Sequence, residues 1–132
     1  MDILITVHSI LRWFIIIIAA LAIFKYSVSW AVNRPFKGMD RGLASALSGL
    51  MDAQVLLGFV YFLWSGFAGA GFPGYRWLHM LIMVAAAVLM HVPGRLKALG
   101  DMQRFTYSIV TILGALVLVY IGVMFLPGGW TR

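Results

Sequence analysis

The chain has 132 residues, of which 63% are hydrophobic and only 11% charged, and it carries a formal net charge of +6. A soluble domain of this size buries too little of its chain to hide so much apolar surface, which excludes a water-soluble module and leaves an integral membrane protein. The absence of cysteine excludes disulfides, cysteine-ligated iron–sulfur clusters and covalent c-type haem. The bases flank apolar segments, so they point to lipid headgroups and not to nucleic acid.

The first predicted helix runs from about Ile3 to Trp30 around the apolar run Trp13 to Phe24. Arg12 and Lys25 interrupt it, no basic region precedes it and no small-residue cleavage site follows, so it reads as a retained span and not a signal peptide. Asn33 to Arg41 mixes Pro, Gly and charge, a turn signal. The second helix is predicted from about Leu43 to Trp64 and is followed by the uncharged, glycine-rich stretch Ser65 to Gly74. The third runs from about Tyr75 to Val92 and stops at Pro93-Gly94; the fourth runs from about Phe105 to Leu126 and ends at Pro127-Gly128-Gly129. Four spans of roughly 20 residues use nearly the whole length. The expected fold is therefore all-α, a single four-helix transmembrane bundle over residues 1–132 with both termini on the same side.

Lys25, Arg34, Lys37, Arg41, Arg95, Lys97 and Arg104 gather around the first and third loops, against Arg76 and Arg132 on the other side. The positive-inside rule makes loops 33–42 and 93–104 cytoplasmic and turns both termini outward. Helices in lipid associate through small residues. The expected seams are Ser45-Gly49-Ala53 on the second helix, Ala85-Ala86-Ala87 on the third, and Thr111 with Ala115 on the fourth. Trp13, Trp30, Trp64 and Trp77 read as interfacial anchors.

His8 and His79 stand out among the polar residues. Each lies about five residues inside its helix start, roughly 6–9 Å deep at 1.5 Å per residue. The first and third spans run in the same direction, so both imidazoles lie at one level. Intramembrane imidazoles are read as functional by default, and two at one level suit a bis-histidine b-type haem, which needs no covalent link. The competing reading makes each an interfacial histidine bonded to a carbonyl or headgroup.

Arg12 lies one turn beyond His8 on the same face and needs an anion: a haem propionate, a lipid phosphate or Asp52. Asp52 is the only acid deep in any span. A buried Arg12–Asp52 pair is expected, as a helix-locking salt bridge or as a group for proton transfer or quinone hydrogen bonding. Gln54 reads as interhelical glue, Met83 as core filler that could back a haem. His91, about 18 Å along the helix from His79, reads as an interfacial histidine at a helix end, with quinone contact as the lesser alternative.

The segments His8-Ser9-Ile10-Leu11-Arg12-Trp13, Gln54-Val55-Leu56-Leu57-Gly58, and His79 and Met83 with His91-Val92-Pro93-Gly94-Arg95 resemble a family of small four-helix bacterial membrane proteins loosely described as cytochrome b-like. Relatives in that group often carry a histidine near the place of Asp52, where this chain has an acid. The resemblance implies a bacterial inner-membrane protein that binds haem b through His8 and His79, with Arg12 on a propionate, and exchanges electrons with a quinone or a partner redox subunit. The alternatives are a haem-free accessory subunit of a larger respiratory or photosynthetic complex and, ranked last, a proton-conducting bundle built on Asp52.

Overall fold

The computed structural model describes residues 2–131; Arg132, counted above among the charges, lies outside them. All the regular structure in this range is helical. Four long helices, α1 (Asp2–Ala31), α2 (Gly38–Ser65), α3 (Gly74–His91) and α4 (Asp101–Met124), are joined by short turns. Each is long and apolar enough to cross a membrane. The predicted spans are all present, and two start earlier than predicted.

Helix α2 begins at Gly38 because Asp40, in its first turn, accepts the Lys37 backbone N–H at 2.9 Å. A carboxylate there satisfies an orphan donor and meets the positive end of the helix dipole. Asp101 stands in the corresponding first turn of α4, which begins four residues ahead of Phe105. The glycine-rich stretch after α2 is not wholly irregular. Gly66–Ala70 form a π-helical turn, and the chain escapes it through Gly69 and Gly71, both at positive φ, a backbone state that costs glycine little.

Helix α1 packs on α2 and α4, and α3 packs on the same two. Helices α1 and α3 therefore sit diagonally across the bundle. The core is a single cluster, with Ile15, Ala19, Ala22 and Tyr26 from α1, Leu47 and Met51 from α2, Ala86, Ala87 and Met90 from α3, and Phe105, Ile112, Ala115, Val119 and Val123 from α4. Alanines at the centre let the helix backbones approach closely. The outward faces carry Phe14, Ile17, Leu21 and Phe24 on α1 and Val110, Leu113, Val117 and Ile121 on α4, all exposed. So large an apolar surface would drive aggregation in water; in a bilayer it faces lipid.

Of the seams expected on the third and fourth helices, Ala86, Ala87 and Ala115 are buried and Thr111 is half-buried, whereas Ala85 is exposed. The stripe Ser45-Gly49-Ala53 is not a seam of this bundle. All three residues are exposed, and a Cβ added to Gly49 would meet nothing within 4 Å. Small residues in lipid permit helix contact but do not say which helix supplies it.

At one end of the bundle a polar and aromatic clasp holds α1, α2 and α4. Asp40 is only 1% exposed; its carboxylate takes Lys25 Nζ at 2.9 Å, and Lys25 also donates to Ser29 Oγ at 3.0 Å. The Tyr26 hydroxyl donates to the Asp40 carbonyl at 2.6 Å. The rings of Tyr26, Phe36 and Phe105 pack tilted against one another with centroids within 5.7 Å, and the Arg104 guanidinium lies 3.9 Å over Phe36.

Candidate functional site: a polar cavity between diagonal helices

The other end of the bundle is hollow. A cavity of about 210 Å³ opens between α1 and α3, bordered by the start of α1, the end of α2, the start of α3 and the end of α4. At ~30 Å³ per water it has room for about seven waters, more than a packing defect. His8 and His79 both line it, together with Arg12, and the apolar wall includes Ile15, Met83, Val119 and Val123. The two imidazoles thus come to one chamber from helices that do not touch each other.

The position of each ring has a local cause. The His8 imidazole lies on the backbone of Gly58 in α2: a Cβ there would stand 3.0 Å from His8 Cε1. One turn earlier, Gln54 Nε2 donates to the His8 carbonyl at 2.7 Å, tying α2 to α1 at the level of the ring. Gln54 is 8% exposed and lines the cavity. Its Oε1 is buried with no hydrogen-bond partner among the described residues, an acceptor that a donor in the cavity would satisfy. The glue reading of Gln54 is correct, and the residue also faces the chamber.

His79 is held from the opposite side. Its Nδ1 stands 2.8 Å from the Gly122 carbonyl. A carbonyl can only accept, so Nδ1 carries the proton and Nε2 holds the lone pair of the neutral ring. A backbone carbonyl on the far nitrogen is the common way to orient a metal-binding imidazole. The approach is possible because residue 122 is glycine: a Cβ would overlap the end of the Met83 side chain and press on Ile82.

Arg12 faces the cavity with its guanidinium 5.3 Å from the Trp13 ring centroid and 5.1 Å from that of Trp130. Trp130 is fixed in turn by stacking on Tyr120 and by donating its indole N–H to the Tyr120 carbonyl at 3.2 Å. A second guanidinium, not singled out in the sequence, also lines the chamber. Arg76 lies three residues before His79, one turn away on the same face. It donates to the Gly71 and Phe62 carbonyls and to Ser65 Oγ, while Ser65 donates to the Tyr61 carbonyl at 2.6 Å. The i+3 spacing to His79 was the signal that could have found it.

Asp52 corrects the expectation built on Arg12. Its carboxylate is 57% exposed on the outside of the bundle, where His91 Nε2 lies 2.8 and 3.0 Å from its two oxygens. Asp52 is absent from the cavity lining, which includes its neighbours Met51 and Gln54; the side chain leaves the helix in the other direction. It stands near the middle of α2, level with the last residue of α3. Arg12 and Asp52 therefore belong to different surfaces, and the side-chain partner of Asp52 is His91.

A haem or metal would find its nitrogen donors in His8 and His79. The cavity brings together two imidazoles from diagonal helices, with Gly58 beneath one and the Gly122 carbonyl on the other, and apolar side chains around them. No group of three or more His, Cys, Asp or Glu side chains gathers among the described residues. Set beside known protein families, curated proteins and solved structures, the chain matches none of them.

Proposed function

We propose that this chain is a membrane b-type cytochrome-like electron carrier. His8 and His79 are its axial haem ligands, and Arg12 is a partner for a haem carboxylate. One observation carries the reading: both imidazoles line a single cavity between two helices that are otherwise out of contact. Haem b would supply one-electron redox chemistry. The protein's own part is to bind and orient it, to keep water from it with apolar walls, and to set its potential through the ligands and nearby charge. The finer placement in this reading is a bacterial inner membrane, with the cavity end and the termini outward, and a quinone or partner redox subunit as electron donor or acceptor. The test is a reduced-minus-oxidised spectrum of the protein purified after expression with haem supplied. An α-band and Soret shift that disappear in His8→Ala and His79→Ala support the reading; a flat spectrum from the unmodified chain removes it.

A second reading is favoured by the outward stripe Ser45-Gly49-Ala53, which lets another helix approach α2 closely. In it the chain is a haem-free accessory subunit of a larger membrane electron-transfer complex. Gly49→Leu would then abolish co-purification with that complex, while His8→Ala and His79→Ala would leave assembly intact.

A further inference from the structure

The chain has four acidic side chains against ten Lys and Arg, so each acid can be followed to its place. Asp40 is buried against Lys25 and Asp52 is held by His91. Asp101 opens α4 at the end of the bundle away from the cavity. Asp2 is exposed and borders a separate shallow surface groove with Ile3, Thr6 and Val7. None of the four lines the cavity, whose lining holds two arginines and two histidines.

Arg76 is the informative member of that set. Each of its hydrogen-bond partners is neutral: two backbone carbonyls and the Ser65 hydroxyl. Its guanidinium also rests on aromatic faces, 5.1 Å from the Phe62 centroid and 6.0 Å from that of Phe72. These contacts fix the head in place without neutralising it. A guanidinium has five N–H donors; its Nη1 and Nη2 bonds to these three acceptors leave donors for another partner. A fixed positive charge beside an apolar chamber, with no acidic side chain among the described residues lining that chamber, is built to receive an anion.

We infer that the cavity selects a ligand with an apolar body and carboxylate groups, and that Arg76 is the residue holding a carboxylate at the mouth formed by the α2–α3 turn. This rests on the haem reading above and extends it, because that reading assigns Arg12 alone to a propionate. Arg76 is a specificity-determining residue here. The iron ligands attract the metal, and the arginine distinguishes a porphyrin diacid from the same ring without charge.

The experiment is a spectroscopic titration of the full chain in detergent with haem and, separately, with haem dimethyl ester, followed at the Soret band. The unmodified protein should bind the diacid about tenfold or more tighter than the diester, as expected for losing a charge-assisted contact. Arg76→Gln should bring the diacid part of the way down to the affinity of the diester, the Arg12 contact remaining, and leave the diester unchanged; Arg76→Lys should recover part of that loss. Excess palmitate should leave the spectrum unchanged. Equal binding of acid and ester by the unmodified chain, or an equal loss of both in Arg76→Gln, overturns the Arg76 assignment and leaves the haem reading standing. Displacement by palmitate makes the site one for lipid carboxylates and overturns the assignment. No spectral change with either porphyrin overturns the haem reading and this inference with it. A circular dichroism melt of each variant shows whether a loss of binding comes from lost fold.

Discussion

His79, on α3, is oriented by a residue of α4: its Nδ1–H donates to the Gly122 carbonyl at 2.8 Å. A Cβ at position 122 would overlap the flexible end of Met83 and stand 3.1 Å from Ile82 Cγ2, so any side chain there requires those two to shift. Gly122→Val should push Ile82 and Met83 away and open the α3–α4 contact. Overpacking of this kind costs about 1–3 kcal/mol. The melting temperature of the detergent-solubilised variant should fall accordingly, and haem affinity should fall with it.

Gly58 holds His8 in the corresponding way. In Gly58→Ala the new Cβ lies 3.0 Å from His8 Cε1, and the ring must give way by a few tenths of an ångström. Stability should change little, since alanine is the better helix former by up to about 1 kcal/mol. The Soret position and midpoint potential should shift. A larger residue such as Gly58→Leu should abolish haem binding in a chain that remains helical by circular dichroism.

The buried pair at the opposite end of the bundle predicts a different phenotype. Asp40→Asn removes the partner of Lys25 and weakens the start of α2. Loss of one partner of a buried pair costs about 3–5 kcal/mol, and the lower figure applies because the Lys25 side chain is 30% exposed. Unfolding in a denaturing-detergent titration should shift by that amount. The haem spectrum of the folded fraction should stay unchanged, because Asp40 does not line the cavity.

The Asp52–His91 pair should be weak. Both side chains are about half exposed, and polar contacts between membrane helices average about 0.6 kcal/mol. A double-mutant cycle with Asp52→Asn and His91→Ala should return a coupling below about 1 kcal/mol. A coupling of several kcal/mol would show that another chain or a lipid covers the pair.

Four helices long and apolar enough to cross a membrane, and the common direction of the first and third that brings His8 and His79 to one cavity, were legible in the sequence. They depend on quantities that run along the chain: apolar length, the positions of Pro and Gly, and the alternating direction of successive spans. Tertiary structure decided which face of each helix turns inward. A helix that is apolar nearly all round leaves its inward face to its neighbours, and in lipid both inside and outside accept the same side chains. That is why Ser45, Gly49 and Ala53 turn out to face outward, why Asp52 meets His91 and not Arg12, and why Arg76 and Gly58 emerge as parts of the chamber, and Gly122 as the support of His79, only when α2, α3 and α4 are set around the two histidines.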